Sequence, residues 1–127
     1  MTKYQKQILI LAASVLLLTG TAKTLADAAA GQAIYAGKGA CFSCHGPSGK
    51  GDGPAAAALK PKPRDFSAVD FVLDTDGDGQ TGTDTDLYNV IRDGAAKYGG
   101  AATMPGRADL TEKEIKDLVE YIHSLKD

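Results

Sequence analysis

Tryptophan is absent, and aromatic residues fill only 6% of the 127 positions. A small chain this poor in large side chains has difficulty building a sufficient apolar core by itself, and a bound cofactor with a broad apolar face would relieve the shortage. Cysteine is limited to Cys41 and Cys44, and histidine to His45 and His123. A structural zinc needs four ligands, commonly from two paired groups, and the second group is missing. No segment alternates with strand period, and neither an internal repeat nor a long low-complexity tract is present. The longest apolar run, residues 8–18, is too short to cross a bilayer easily, since spanning takes roughly 20 residues. The length suits one domain and not comfortably two.

What is present begins with a leader. Lys3 and Lys6 form a basic start, the apolar run follows, and Ala26-Asp27-Ala28 offers a small-x-small cleavage pattern. The reading is a signal peptide over 1–28, cleaved on export to the periplasm, with an uncleaved inner-membrane anchor facing the periplasm as the alternative. The remaining chain, 29–127, carries 11 basic and 15 acidic side chains, a net charge of −4. That balance disfavours nucleic acid as a partner and suits a redox protein with a basic docking patch.

Few elements are expected. Residues 29–37 read as a short helix with Ala33, Ile34 and Tyr35 on its apolar face, and residues 55–59 as one helical turn that Pro61 and Pro63 stop from extending. Residues 85–93 place Leu87, Val90 and Ile91 at helical spacing, with Asp84 and Asp86 near the N-terminus and Gly94 at the stop. The clearest helix is the last. Thr111 with Glu114 has capping-box spacing, and Ile115, Leu118, Val119, Ile122 and Leu125 form one apolar stripe. Long turn-rich loops join these helices, longer than a domain of this size ordinarily tolerates. Something should lie inside them.

The chemistry concentrates in Cys41-Phe42-Ser43-Cys44-His45. A thioredoxin-like dithiol would need a strand–helix setting that the surrounding turns do not supply, and would leave His45 without a task. A disulfide here would close a tiny loop and constrain little of the unfolded chain. Covalent haem uses every residue: two thiols form thioethers, and the adjacent His45 serves as an axial ligand. The second axial donor is assigned to Met104, in Thr103-Met104-Pro105. It sits in a polar, glycine-rich loop where a core-filling methionine is out of place, and Met1 is the only other methionine. His123 competes in principle, but lies at the margin of the last helix's apolar stripe.

The motifs "GQAIY", "CFSCHG", "GKGDGP", "DLYNVIRDG", "MPG" and "LVEYIHSL", in that order from about residue 31 to 125, make the chain resemble a small class I c-type cytochrome of the bacterial periplasmic kind. The resemblance implies an all-α fold of three to five short helices wrapped around one haem c. It implies Cys41 and Cys44 as thioether attachments, His45 as proximal ligand and Met104 as distal ligand. Pro54 matches the proline whose carbonyl takes the hydrogen bond from the ligand imidazole. Gly31 and Tyr35 match the first-helix positions that cross the last helix near an aromatic residue, here Tyr121. The function implied is that of a monomeric one-electron carrier between a respiratory donor and a terminal oxidase or reductase, and not an enzyme. The alternative is a haem enzyme or sensor with a labile Met104.

Arg64 could pair with a haem propionate or be an ordinary surface residue, and Tyr98 could hydrogen-bond near the haem edge or only cover it. Asp74-Thr75-Asp76-Gly77-Asp78-Gly79-Gln80 spells the first half of a calcium loop, with Asp74, Asp76, Asp78 and Gln80 as candidate ligands. Its twelfth position is Thr85 where glutamate is needed, so a solvated acidic turn is the stronger reading and a calcium-stabilised interaction module the weaker one.

Overall fold

A computed structural model describes residues 25–68 and 71–126. The basic start and apolar run of the leader lie outside the described residues. Among those described, no helix is long and apolar enough to cross a membrane.

The first helix, α1 (Ala28–Ala36), starts where Asp27 turns its carboxylate back onto the amides of Ala29 and Ala30. The helical domain therefore reaches past the expected 28/29 boundary, because its cap belongs to the segment read as leader. The second helix, α2 (Phe42–His45), is a single turn with Cys41 at its N-cap. Residues Ala56–Ala58 form a 3-10 turn. Helix α3 (Asp84–Asp93) is closed at its start by Thr83 and Asp86, which exchange side-chain and backbone bonds as a capping box. A second 3-10 turn, Ala95–Tyr98, follows. The last helix, α4 (Glu112–Ser124), carries the Thr111–Glu114 capping box that its sequence spells. Among the described residues the only strand-like feature is an isolated antiparallel bridge between Gly94 and Pro105. The fold is all-α.

The principal seam is α1 against α4. Gly31 makes it possible: a Cβ there would lie 2.5 Å from the Asp117 carbonyl carbon and 2.9 Å from Tyr121 Cβ. Tyr35 and Tyr121 meet edge to face across the seam, with ring centroids 5.1 Å apart. The core joins Tyr35, Leu87, Ile91, Leu110 and the α4 stripe; from the connection between α2 and α3, Phe66 enters it and Phe71 packs against it. Leu125 closes α4 as its C-cap and packs at the edge of this core.

Candidate haem site

Helix α2 holds three of the expected site residues within one turn. Its backbone fixes their spacing, with the amides of Cys44 and His45 both bonding to the Cys41 carbonyl at 3.3 and 2.9 Å. Cys41 and Cys44 are free thiols and partly buried. Burial pushes the Cys41 thiol up, against the opposing pull of the Arg107 guanidinium. His45 is buried, and that burial lowers its pKa although the Arg64 carbonyl works against the shift. That burial favours the neutral imidazole over the cation.

The ring is held on two sides. Its Nδ1 lies 3.0 Å from the Arg64 carbonyl oxygen. A carbonyl only accepts, so Nδ1 carries the proton and Nε2 keeps its lone pair. No described residue hydrogen-bonds Nε2. Phe66 stacks on the ring, with centroids 4.4 Å apart and planes inclined by 20°. The carbonyl expected from Pro54 is not the one used. Pro54 is exposed in a turn that folds over α2, where Gly53 N–H donates to the Cys44 carbonyl at 3.1 Å and Ala55 N–H to the Ser43 carbonyl at 2.9 Å. The loop runs on past Pro54, and the first backbone oxygen to reach Nδ1 is that of Arg64. The path is secured by Gly51 N–H to the His45 carbonyl at 2.8 Å and Phe66 N–H to the Gly49 carbonyl at 2.7 Å. Tyr35 adds a bond from its hydroxyl to the Gly46 carbonyl at 2.6 Å.

Met104 arrives on a separate segment. Its carbonyl accepts from Ala95 N–H at 3.2 Å, and its own N–H donates to the Ala101 carbonyl at 3.1 Å. Gly94, at φ 88°, ends α3 and turns the chain so that this bridge can form. Arg107 then ties the segment to the approach to α2. Its backbone N–H donates to the Ile91 carbonyl at 2.8 Å, and its guanidinium donates to the carbonyls of Gly39 and Lys38 and pairs with Asp109. The Asp109 carboxyl is pulled down to about 2 by that guanidinium.

The remaining candidates fall as follows. The Arg64 side chain is exposed and has no partner among the described residues. Tyr98 spends its hydroxyl on Asp93, at 2.6 Å, in a cluster with Arg92 and Lys97. His123 is a surface residue whose Nε2 lies 2.9 Å from Asp84. Asp74, Asp76 and Asp78 do converge on the surface. Each carboxylate already accepts backbone amides of the same loop: Asp74 from Gly77 and Gly79, Asp76 from Asp78, and Asp78 from Gln80. Gln80 points its amide group at Asp78, at 3.1 Å. The loop is thus built as a run of aspartate-capped turns. Its base is closed by the buried Asp86, which accepts from the amides and hydroxyls of both Thr75 and Thr83 at 2.6–2.9 Å. Burial drives the Asp86 carboxyl up, and these four bonds outweigh it and hold the carboxyl below its usual range.

Phe66, the Arg64 carbonyl, the loop-closing role of Asp86 and Arg107 were not marked by the sequence reading. A lone aromatic residue at the end of a proline-rich polar run was a usable sign for Phe66. T-x-x-D at residues 83–86 was one for the α3 cap.

A cytochrome c family model matches residues 28–126. The chain belongs to the cytochrome c family. The membership implies covalent haem c, and this cytochrome's residues fit that group: two unpaired thiols flank a short turn, and the imidazole beside them has one nitrogen fixed and the other open. Among solved structures, a chain of the Kuenenia stuttgartiensis reducing HAO-like protein complex is similar at 30% identity and a TM-score of 0.60. The match covers 76% of this cytochrome and 41% of that chain, so this cytochrome spans less than half of its neighbour's length. No curated protein matches the chain.

Proposed function

We propose that this cytochrome is a periplasmic one-electron carrier whose iron is held by His45 and Met104. One observation carries the reading: the His45 imidazole is fixed at Nδ1 by the Arg64 carbonyl and open at Nε2, one turn from two free thiols. When bound, haem c supplies an iron that alternates between ferrous and ferric and so stores one electron. Cys41 and Cys44 would hold the macrocycle through thioethers. His45 donates Nε2 from a ring whose orientation its Nδ1 bond and Phe66 fix, and the carbonyl contact raises its basicity as a ligand. Met104 offers its sulfur from a segment lashed to the end of α3. With His45 and Met104 both holding the iron, no ligand would have to leave or enter as the electron is stored or passed on. The exposed Arg64 guanidinium is available to a propionate.

Phe42 is 37% exposed beside the attachment cysteines, which suits this edge as the place of contact with a redox partner. The solved neighbour belongs to a protein complex, which supports partners of that kind. The net negative charge of 29–127 supports a basic patch on the partner, and nothing in the chain requires more than a monomer. The leader pattern supports export.

The test is spectroscopic. Protein made in cells competent for haem attachment should be coloured, should show the weak red-end absorption of ferric iron bound to thioether sulfur, and should bind carbon monoxide poorly when reduced. Colourless protein with two reactive thiols would overturn the haem site. Coloured protein without the red-end band, and with ready carbon monoxide binding, would overturn Met104 ligation and favour an enzyme or sensor.

A further inference from the structure

We propose that the leader is cut between Ala26 and Asp27, two residues upstream of the Ala26-Asp27-Ala28 reading, so that the exported protein begins with Asp27. The proposal rests on the export reading above and concerns which bond is cut.

Asp27 makes four bonds that the folded domain uses. Its backbone nitrogen donates to Asp117 Oδ1 at 2.8 Å. Its carboxylate accepts the amides of Ala29 and Ala30 at 2.8 and 3.4 Å. Its carbonyl accepts from Gly31 N–H at 2.9 Å. Gly31 is the residue on which α1 and α4 close, so the cap and the seam are one construction. A cut after Ala28 would delete all four bonds and the first residue of α1. It would also strip a partner from Asp117, whose side chain is only 5% exposed and whose remaining partner is Lys113 at 2.8 Å. Leu25 is 81% exposed and adds nothing to the core.

The sequence permits a cut at this point. Thr24-Leu25-Ala26 places small residues at the two positions an export peptidase reads, with alanine next to the bond. In the cleavage, water adds across the Ala26–Asp27 amide. The carbonyl carbon leaves on the leader as a carboxylate, and the nitrogen becomes the α-ammonium of Asp27. That nitrogen already lies 2.8 Å from Asp117 Oδ1. A neutral amide donor thus becomes a cation facing an almost fully covered carboxylate, a stronger bond of the charge-assisted kind. A positive charge at a helix N-terminus is unfavourable by itself. Here the Asp27 carboxylate on the same turn and Asp117 across the seam offset it. Gly20-Thr21-Ala22 has the same small-x-small spacing, but a cut there would leave Leu25 on a tail and form no ion pair with Asp117.

The experiment is N-terminal sequencing and intact mass of the haem-loaded protein purified from the periplasm. Asp27 as the first residue is the expected result. Any other processed start, Lys23 or Ala29 included, would overturn the proposed bond and leave export standing. A chain retaining Met1 in the membrane fraction would overturn cleavage altogether and favour the periplasm-facing anchor. A pair of variants gives a second measurement. Ala26→Gln should block or displace processing, whereas Ala28→Gln should leave Asp27 as the first residue. The opposite pattern would overturn the proposal.

Discussion

Replacing Gly31 by alanine should destabilise this cytochrome, although alanine is the better helix former. In an isolated helix the change would be favourable by about 1 kcal/mol. In the folded domain the new Cβ would lie 2.5 Å from the Asp117 carbonyl carbon and 2.9 Å from Tyr121 Cβ. Carbon–carbon contact is comfortable only at about 3.5–4.0 Å. The obstacle on the α4 side is backbone, which cannot rotate out of the way as a long side chain could. α1 must therefore retreat by about 1 Å, estimated from that gap. An extra methyl in a closed core costs about 1–3 kcal/mol, and this one belongs near the top of that range. The retreat also pulls Tyr35 from Tyr121, a pair worth about 1 kcal/mol beyond its area. Net of the propensity gain, the loss is about 2–3 kcal/mol. For a domain of this size that lowers Tm by roughly 10–20 °C. The assay is thermal denaturation of the purified haem-loaded protein by far-ultraviolet circular dichroism, with a denaturant titration beside it. A G31A protein that melts at or above the wild-type temperature would show that the seam is not limited by this contact.

Asp86→Ala should leave four donors of Thr75 and Thr83 without their acceptor, costing about 3 kcal/mol. Limited proteolysis should then find new cleavage in residues 74–83, and an unchanged digestion pattern would refute the closure. Met104→Ala in haem-loaded protein should abolish the red-end band, open the iron to carbon monoxide and lower the reduction potential by an amount of order 0.1 V, since axial ligands govern potential over a far wider range. Retention of the band would exclude Met104 as ligand. Asp93 is held well below the usual carboxylate range, first by Arg92 and then by Lys97 and Tyr98. A folded pKa below the unfolded one gives stability that is fully present above about pH 4 and declines as pH falls toward the folded value. The Tm gap between wild type and Asp93→Asn should therefore narrow between pH 4 and pH 2; a constant gap would contradict the assignment.

The parts of this structure that were legible in the sequence are those written in side chains at short range. The cluster at Cys41, Cys44 and His45 announces its chemistry because the three groups are adjacent. Helix α4 announces itself through the Thr111–Glu114 box and a five-residue stripe. The parts that were not legible depend on backbone atoms or on long-range closure. Helix α2 is too short to show a period. The partner of His45 Nδ1 is a carbonyl, an atom every residue owns, so nothing in the letters distinguishes Arg64 from Pro54. The Asp74–Asp78 turn resembled an ion site because the same residues that ligate cations also cap turns, and only the amide bonds show how the carboxylates are used. Asp86 looked like a helix-start residue, which it is; that it also closes the loop became visible once Thr75 was brought beside it.

The hydrogen bond from His45 to the chain at position 64 has an evolutionary side. Because the acceptor is main chain, no ordinary side-chain replacement at residue 64 can delete it. The charge displayed there is thus free to drift toward whatever a new redox partner requires, without turning the imidazole. What cannot drift is the count of residues between Gly46 and Phe66. One insertion or deletion in that stretch would offer a different oxygen, or none. Lineages of this cytochrome should therefore vary in letters along the stretch while conserving its length.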